Sequence, residues 1–491
     1  MLNVNDFGAQ GVARPSQKLE LTNLEYKWIR YPSGTKETIY APSPSAVYDS
    51  VGIQRAIDAA WAADGGTVVV PAGDYLVAPI ELKSRVCLHL EAGARLWGSP
   101  LLSDYHCPPG EFSPHFPTER GTSHFHGIVL GGFRPLIWAD NAEDVAITGM
   151  GQINAQSPQW VIPWMNSRPT SWDSLMGQRP KDTVSFYRCR RVRVESVQIL
   201  RSPSWTLVFD TCDGVQVRGL RLRSFDAINS DGIDVVNTSN VTISDCDLWT
   251  TDDAICLKNL IANHTMGNIV VTNCLIRTAC CGLKIGTESI GNFQDVTFSN
   301  VVIYNPDGDM KGAEGGVNLC AVDGGFVRNV NVSNIVMRNV DCPFFLLGSC
   351  RTGKQQAMRT PRSGRMERIS LSNIQADGAR HTSWIVGRAD EPIRDVRLSN
   401  IDIRKTRDFY DAPITAPVPE LPEAYPSPCR FGRRHQGDDL PAFGLYLRHV
   451  RRIGVRDFRL DSAAQDCRRF IVQEQCKDVS LQDCWTNLPA D

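Results

Sequence analysis

A short pattern recurs along this chain and leaves few folds open to it. A β-branched or aliphatic residue is followed by a variable residue, a second apolar residue, another variable residue, and then a small or Asn/Asp turn residue. Copies read Val192-Arg-Val-Glu-Ser196, Val215-Gln-Val-Arg-Gly219, Val241-Thr-Ile-Ser-Asp245, Ile269-Val-Val-Thr-Asn273, Val296-Thr-Phe-Ser-Asn300 and Val330-Asn-Val-Ser-Asn334. They continue as Ile369-Ser-Leu-Ser-Asn373, Val396-Arg-Leu-Ser-Asn400, Ile453-Gly-Val-Arg-Asp457 and Val479-Ser-Leu-Gln-Asp483, with an earlier copy beginning at Val145. From Val192 onward the starts are separated by 23, 26, 28, 27, 34, 39, 27, 57 and 26 residues. Alternation sends one set of side chains inward and the other outward. A unit this short cannot bury its inner face alone, so units must stack, each coil rising by one strand spacing.

The expected fold is therefore all-β, a single right-handed parallel β-helix. A leucine-rich horseshoe would need a helix in each repeat, and no 3.6-residue period separates the copies. A β-sandwich lacks such a long fixed register. The interval of 47 residues from Val145 to Val192 reads as two coils, and that of 57 holds a Pro-rich inserted loop. The Asn or Asp at the turn position is expected to bond neighbouring backbone, with Cys246, Cys274 and Cys484 beside it as small buried fillers. Ser50–Ala63 reads as an N-terminal capping helix with Ser50 as N-cap, apolar residues at Ile53, Ala56, Ile57 and Ala60, and Gly65-Gly66 at its end. It would cover the open end of the first coil. Residues 1–491 form one domain on this reading: 1–100 the cap and first coils, 140–405 the central coils, 406–445 an inserted loop and 446–491 the last coils.

Bulk properties exclude several functions. A formal charge of −2 gives no case for nucleic acid. No apolar run is long enough to span a bilayer, and no basic amphipathic stretch suggests a membrane surface. The 16 cysteines are spread through apolar strand patterns and read as buried free thiols. Metal-ligand spacing is absent, and the adjacent Cys280 and Cys281 suit neither a tight zinc site nor an ordinary disulfide, so no metal and no cofactor are expected. The N-terminus shows no cationic start and no apolar signal core, which leaves a mature exported form or the cytoplasm.

Two segments carry chemistry. Asn229-Ser230-Asp231-Gly232 and Asp252-Asp253-Ala254-Ile255-Cys256-Leu257-Lys258 place Asp231 and Asp252 21 residues apart, close to one coil. Stacked carboxylates raise one another's pKa, which suits an acid and a base flanking a glycosidic bond. Solvated turn aspartates or a calcium site remain open on composition alone.

These segments resemble glycoside hydrolase family 28, the polygalacturonase family, with its pectin-lyase-like solenoid. Asn229-Ser230-Asp231-Gly232 matches its Asn-Thr-Asp-Gly signature. Asp252-Asp253-Ala254-Ile255-Cys256-Leu257-Lys258 matches Asp-Asp-Ala-Ile-x-x-Lys. Arg201-Ser-Pro-Ser-Trp205 and Arg179-Pro180 are similar to the family as well. The resemblance implies an inverting hydrolase of pectin-type polymers that needs no metal, in which Asp252 is the general acid and Asp231 and Asp253 hold and activate water. Asn229, Lys258 and Glu288, together with Cys281 and Lys284 where the chain departs from the family, are the substrate-binding candidates, and a carbohydrate is the expected partner of a monomeric enzyme.

The chain departs from that family twice. Cys280-Cys281-Gly282 stands where the family has Gly-His-Gly. Cys281 reads as a small wall residue rather than a nucleophile, since no histidine partners it. If Leu283 and Ile285 point inward, Lys284 points outward, either into the cleft or into solvent. The family's Arg-x-Lys pair aligns with Val317-Asn318-Leu319, so both cations that would bind a galacturonate carboxylate are gone. A neutral sugar is expected instead. Residues 11–46, the His106, His115, His124 and His126 segment within 101–135, and 351–366 would wall one end of the cleft and direct the enzyme to chain ends. Trp160, Trp164 and Trp205 are candidate sugar platforms or core residues. A β-helix lyase and a non-catalytic carbohydrate-binding β-helix are the competing functions.

Overall fold

The computed structural model describes the 491-residue chain apart from residues 14–16, 22–24, 27–28, 31–34, 40–46, 108–132, 168–178, 181, 306–312, 352–361, 419, 421–439 and 490–491. His115, His124 and His126, and most of the 351–366 segment, lie outside the described residues. The chain divides into two compact units, Met1–Asp252 and Asp253–Asp491.

Each unit is built of parallel strands stacked coil upon coil, the arrangement of a right-handed parallel β-helix. In the first unit Val192 pairs with Val215 and Val215 with Val241, so the first residue of each repeat sits on the first residue of the next. A second sheet stacks Ile137, Val184, Leu207 and Ile233 in one column. These side chains are fully buried, and Phe186 stacks on Phe209 at 5.4 Å. In the second unit one column runs Ile269, Val296, Val330, Ile369, Val396, Ile453, Val479 without a slip. Unequal repeat lengths are absorbed outside the strands, because a one-residue slip would expose an entire inner face.

The turn position explains the asparagines. Asn273, Asn300, Asn334, Asn373 and Asn400 all hold φ between 51° and 58°, a left-handed conformation that Asn tolerates best among residues with a side chain. Their amides form a ladder. Asn300 Nδ2 donates to Asn273 Oδ1 (3.3 Å), Asn334 to Asn300 (3.0 Å), Asn373 to Asn334 (2.9 Å) and Asn400 to Asn373 (2.8 Å). The expected partner was backbone. Stacking at one coil height brings each amide nearest its own copy instead. Cys246 and Cys274 are buried beside this corner, whereas Cys484, on the outermost coil, is only half-buried.

Two further expectations change. Ala146 pairs directly with Arg193, so the 47 residues from Val145 to Val192 are one coil, not two. The excess includes helix α2, Pro158–Asn166, which interrupts the strand pattern. Trp160 and Trp164 are buried on α2, with Trp160 edge-on to Tyr105, so both are core residues rather than sugar platforms. Trp205 is half-buried. The capping helix α1 spans Ser50–Ala62 and buries Ile53, Ala56, Ile57 and Ala60 as expected. Ser50 is its first helical residue, not its N-cap. Asp49 holds that place, and the Ser50 hydroxyl accepts from Ala78 N. The described cysteines are free thiols. Among the described residues, no helix is long and apolar enough to cross a membrane.

Replacing Asn334 with Ala removes two ladder bonds and leaves a Cβ-bearing residue without compensation at positive φ. We expect a loss of about 1–3 kcal/mol in urea unfolding. Asn334→Gly should recover the backbone part and retain only the hydrogen-bond loss; equal stability of all three proteins would show that the ladder contributes nothing.

Candidate active site

The first unit supplies a buried, cross-braced loop. Asp231 O and Gly232 O accept from Thr206 N and Leu207 N of the preceding coil, each at 3.0 Å, just before the strand Ile233–Val236. The Ser230 hydroxyl donates to Ser202 O (3.1 Å). Arg179 is buried beneath this loop. Its Nη1 donates to Pro203 O and to Ile228 O, each at 2.5 Å, and its Nη2 donates to Asn229 Oδ1 (3.4 Å). Burial pushes the Arg179 guanidinium down to about 9, while Asp231 and Asp252 pull it back up. It stays charged at neutral pH.

Arg179 fixes the orientation of the Asn229 amide. With Oδ1 accepting from Arg179, Nδ2 is turned to Asp252 and donates to its Oδ2 at 3.3 Å. Asp252 is only half-buried, while Asp231 and Asn229 are buried. The carboxylate oxygens of Asp231 and Asp252 come within 4.8 Å of one another, so the 21-residue spacing does stack them. Asp231 is therefore not a solvated turn residue, while Asp252 keeps part of its solvent exposure. Arg179 was visible in sequence only as part of a short motif. Its bracing role depends on three carbonyl or amide oxygens that no local pattern announces.

The second unit supplies a charge pair. Ile255 pairs with Leu283 and Leu257 with Ile285, and all four side chains are fully buried in the core. Alternation therefore puts Lys284 on the opposite face, where its Nζ reaches Asp253 Oδ2 at 2.7 Å. Both side chains are buried, 6% and 4% exposed, which rules out a solvated surface lysine. Burial opposes ionisation of Asp253, but the Lys284 and Lys258 ammonium groups and hydrogen bonds from Lys284 and Cys281 outweigh it and hold the carboxyl below its usual range. Cys281 stacks beside Asp253, its carbonyl accepting from Ala254 N at 2.8 Å. A hydrogen bond with Cys280 pulls the Cys281 thiol down, yet burial and the charges of Asp253 and Glu314 push it up overall. Cys281 is accordingly a protonated donor to Asp253, not a nucleophile.

The remaining candidates divide. Lys258 is buried and acts on Asp253 through its charge. Glu288 is half-buried, and its Oε1 has no hydrogen-bond partner among the described residues. Val317 and Leu319 are fully buried, paired with Leu283 and Ile285 in the core column. They are not cleft positions. The residue sharing the Lys284 face is Asn318, which lies between those two positions.

The Asp253–Lys284 pair makes a stability prediction. Asp253 has a depressed pKa in the folded state, so its contribution is present above the unfolded carboxyl pKa and is lost as pH falls through the folded one. Lys284→Met removes the bonded ammonium from a buried carboxylate, leaving it the Lys258 charge and the Cys281 donor, and should cost up to about 3–5 kcal/mol near neutral pH. The deficit should shrink on mild acidification, as Asp253 in the variant takes a proton. A pH-independent deficit in denaturant titrations would contradict the pairing.

The sequence model of glycosyl hydrolases family 28 matches residues 117–413, more than half of the chain. The chain is 22% identical over 380 residues to a "Probable polygalacturonase" of Vitis vinifera, covering 74% of this chain and 72% of that protein. It is 24% identical over 312 residues to a polygalacturonase of Juniperus ashei, covering 60% of this chain and 58% of that protein. Its fold is similar to that of an exopolygalacturonase from Thermotoga maritima, with TM-score 0.60 and 23% identity over 82% of this chain and 87% of the other. The extent of the family match settles the assignment: this chain belongs to family 28 of the glycosyl hydrolases, enzymes that act on glycosidic bonds.

Proposed function

We propose that this protein hydrolyses pectin-type poly- or oligosaccharides by an inverting acid/base mechanism, acting from chain ends, on sugars other than galacturonate. The observation that carries this reading is the unequal setting of two adjacent carboxyls. Lys284 and Lys258 hold Asp253 ionised, whereas Asp252 receives a neutral amide donor and keeps partial access to solvent. Inverting hydrolysis needs that division: one carboxyl that carries a proton to the leaving oxygen, and carboxylate that takes one from water. Asp252 is the acid on this reading. Asp253 and Asp231 hold and activate the water, and the Arg179–Asn229 brace aims Asp252.

The reading on specificity rests on missing positive charge. Val317 and Leu319 are apolar core residues, and Asn318, on the face of Lys284, is neutral. Lys284 is already neutralised by Asp253. A sugar carboxylate at that position would lose its hydration without gaining a cation, whereas a hydroxyl would not. Chain-end action rests on the long segments 11–46, 101–135 and 351–366.

Incubation with pectic oligosaccharides and aryl glycosides tests the reaction type. New reducing ends without unsaturated-product absorbance are expected, and Asp252→Asn should lower the rate by about 10²–10⁴-fold. Unsaturated products would identify a lyase; an unchanged rate in Asp252→Asn would remove that residue from the acid's role. Efficient release of galacturonic acid would overturn the specificity reading.

A further inference from the structure

Adjacency led to the expectation that Cys280 and Cys281 suit no tight zinc site. Cys280 instead lies just before the strand Cys281–Ser289, and the two Sγ atoms stand 3.7 Å apart. One donor atom each from Asp253, Cys280 and Cys281 falls within 4.8 Å of the others. Two thiolates bound to one tetrahedral zinc ion, each at about 2.3 Å, are separated by about 3.8 Å. The thiols are thus already spaced as one edge of such a site, with a carboxylate at hand for a third position.

We infer that Asp253, Cys280 and Cys281 form a site for a soft divalent cation, zinc or cadmium, and that filling it shuts down the reaction. Charge balance favours the soft cation over calcium. Binding follows M²⁺ + 2 RSH → M(SR)₂ + 2 H⁺, so one dication replaces two protons and the net charge of the buried cluster is unchanged. Calcium would neither bind thiolates well nor expel their protons, and would place uncompensated charge beside Lys284 and Lys258. The groups facing the site are those two lysines, which oppose a cation, and Asp253 and Glu314, which favour it.

The inhibitory part rests on the proposed role of Asp253: a carboxylate bound to metal no longer takes a proton from water. The site itself does not depend on that role, and the two are separable by experiment. Full-length wild type and Cys280→Ser are titrated with cadmium while cadmium–thiolate absorbance, bound metal, proton release and hydrolysis are followed. The wild type should take up one equivalent more than the variant, with thiolate absorbance and proton release. Its hydrolysis should fall with that equivalent and return on chelation. Cys280→Ser should keep its metal-free activity and need at least roughly tenfold more cadmium for the same inhibition. Equal uptake and equal absorbance in both proteins would overturn the site. Differential uptake with undiminished hydrolysis would overturn the shutdown. Absence of hydrolysis in metal-free wild type would instead strike at the proposed function and leave the binding result standing.

Discussion

Everything in this structure depends on register. Parallel coils stack with each residue above its counterpart, so a position that is buried, turned or charged in one coil is placed over the same position in the next. The column from Ile269 to Val479 shows the constraint in its plainest form. It forces apolar side chains inward. It also lines the asparagines into a ladder whose amides satisfy one another, so that a turn in an otherwise unfavourable backbone region is stabilised by repetition.

The same constraint assembles chemistry. Stacking puts Asp231 within reach of Asp252 in the first unit, and Lys284 onto Asp253 in the second. In each unit the carboxyl has its own compensation. Asp253 has two ammonium groups. Asp252 has an amide aimed by a buried guanidinium. Solvation is withdrawn from one carboxyl and left in part to the other. That asymmetry, rather than the presence of acids, is what makes a division of labour between acid and base physically reasonable.

Much of this was legible in the sequence. The five-residue pattern gave the strand register directly, because period two and a fixed turn residue leave no freedom. The outward direction of Lys284 followed from Leu283 and Ile285. Other features were hidden for definite reasons. The interval before Val192 looked like two coils because its extra length, which includes the nine-residue α2, is inserted within one coil, and a helix inside a coil is invisible to a strand pattern. Val317 and Leu319 aligned with cleft residues by position, yet parity turns them into the core and brings Asn318 to the face of Lys284. The convergence of two adjacent thiols depends on backbone direction at a strand entry, which adjacency alone misrepresents.

The most direct test of the account is the configuration of the sugar at the moment of release. Proton NMR during early turnover should show the anomer opposite in configuration to the bond that was cleaved, followed by slow mutarotation. Initial appearance of the retained anomer would contradict the account, since it would require a carboxylate nucleophile rather than a water held and activated by Asp231 and Asp253.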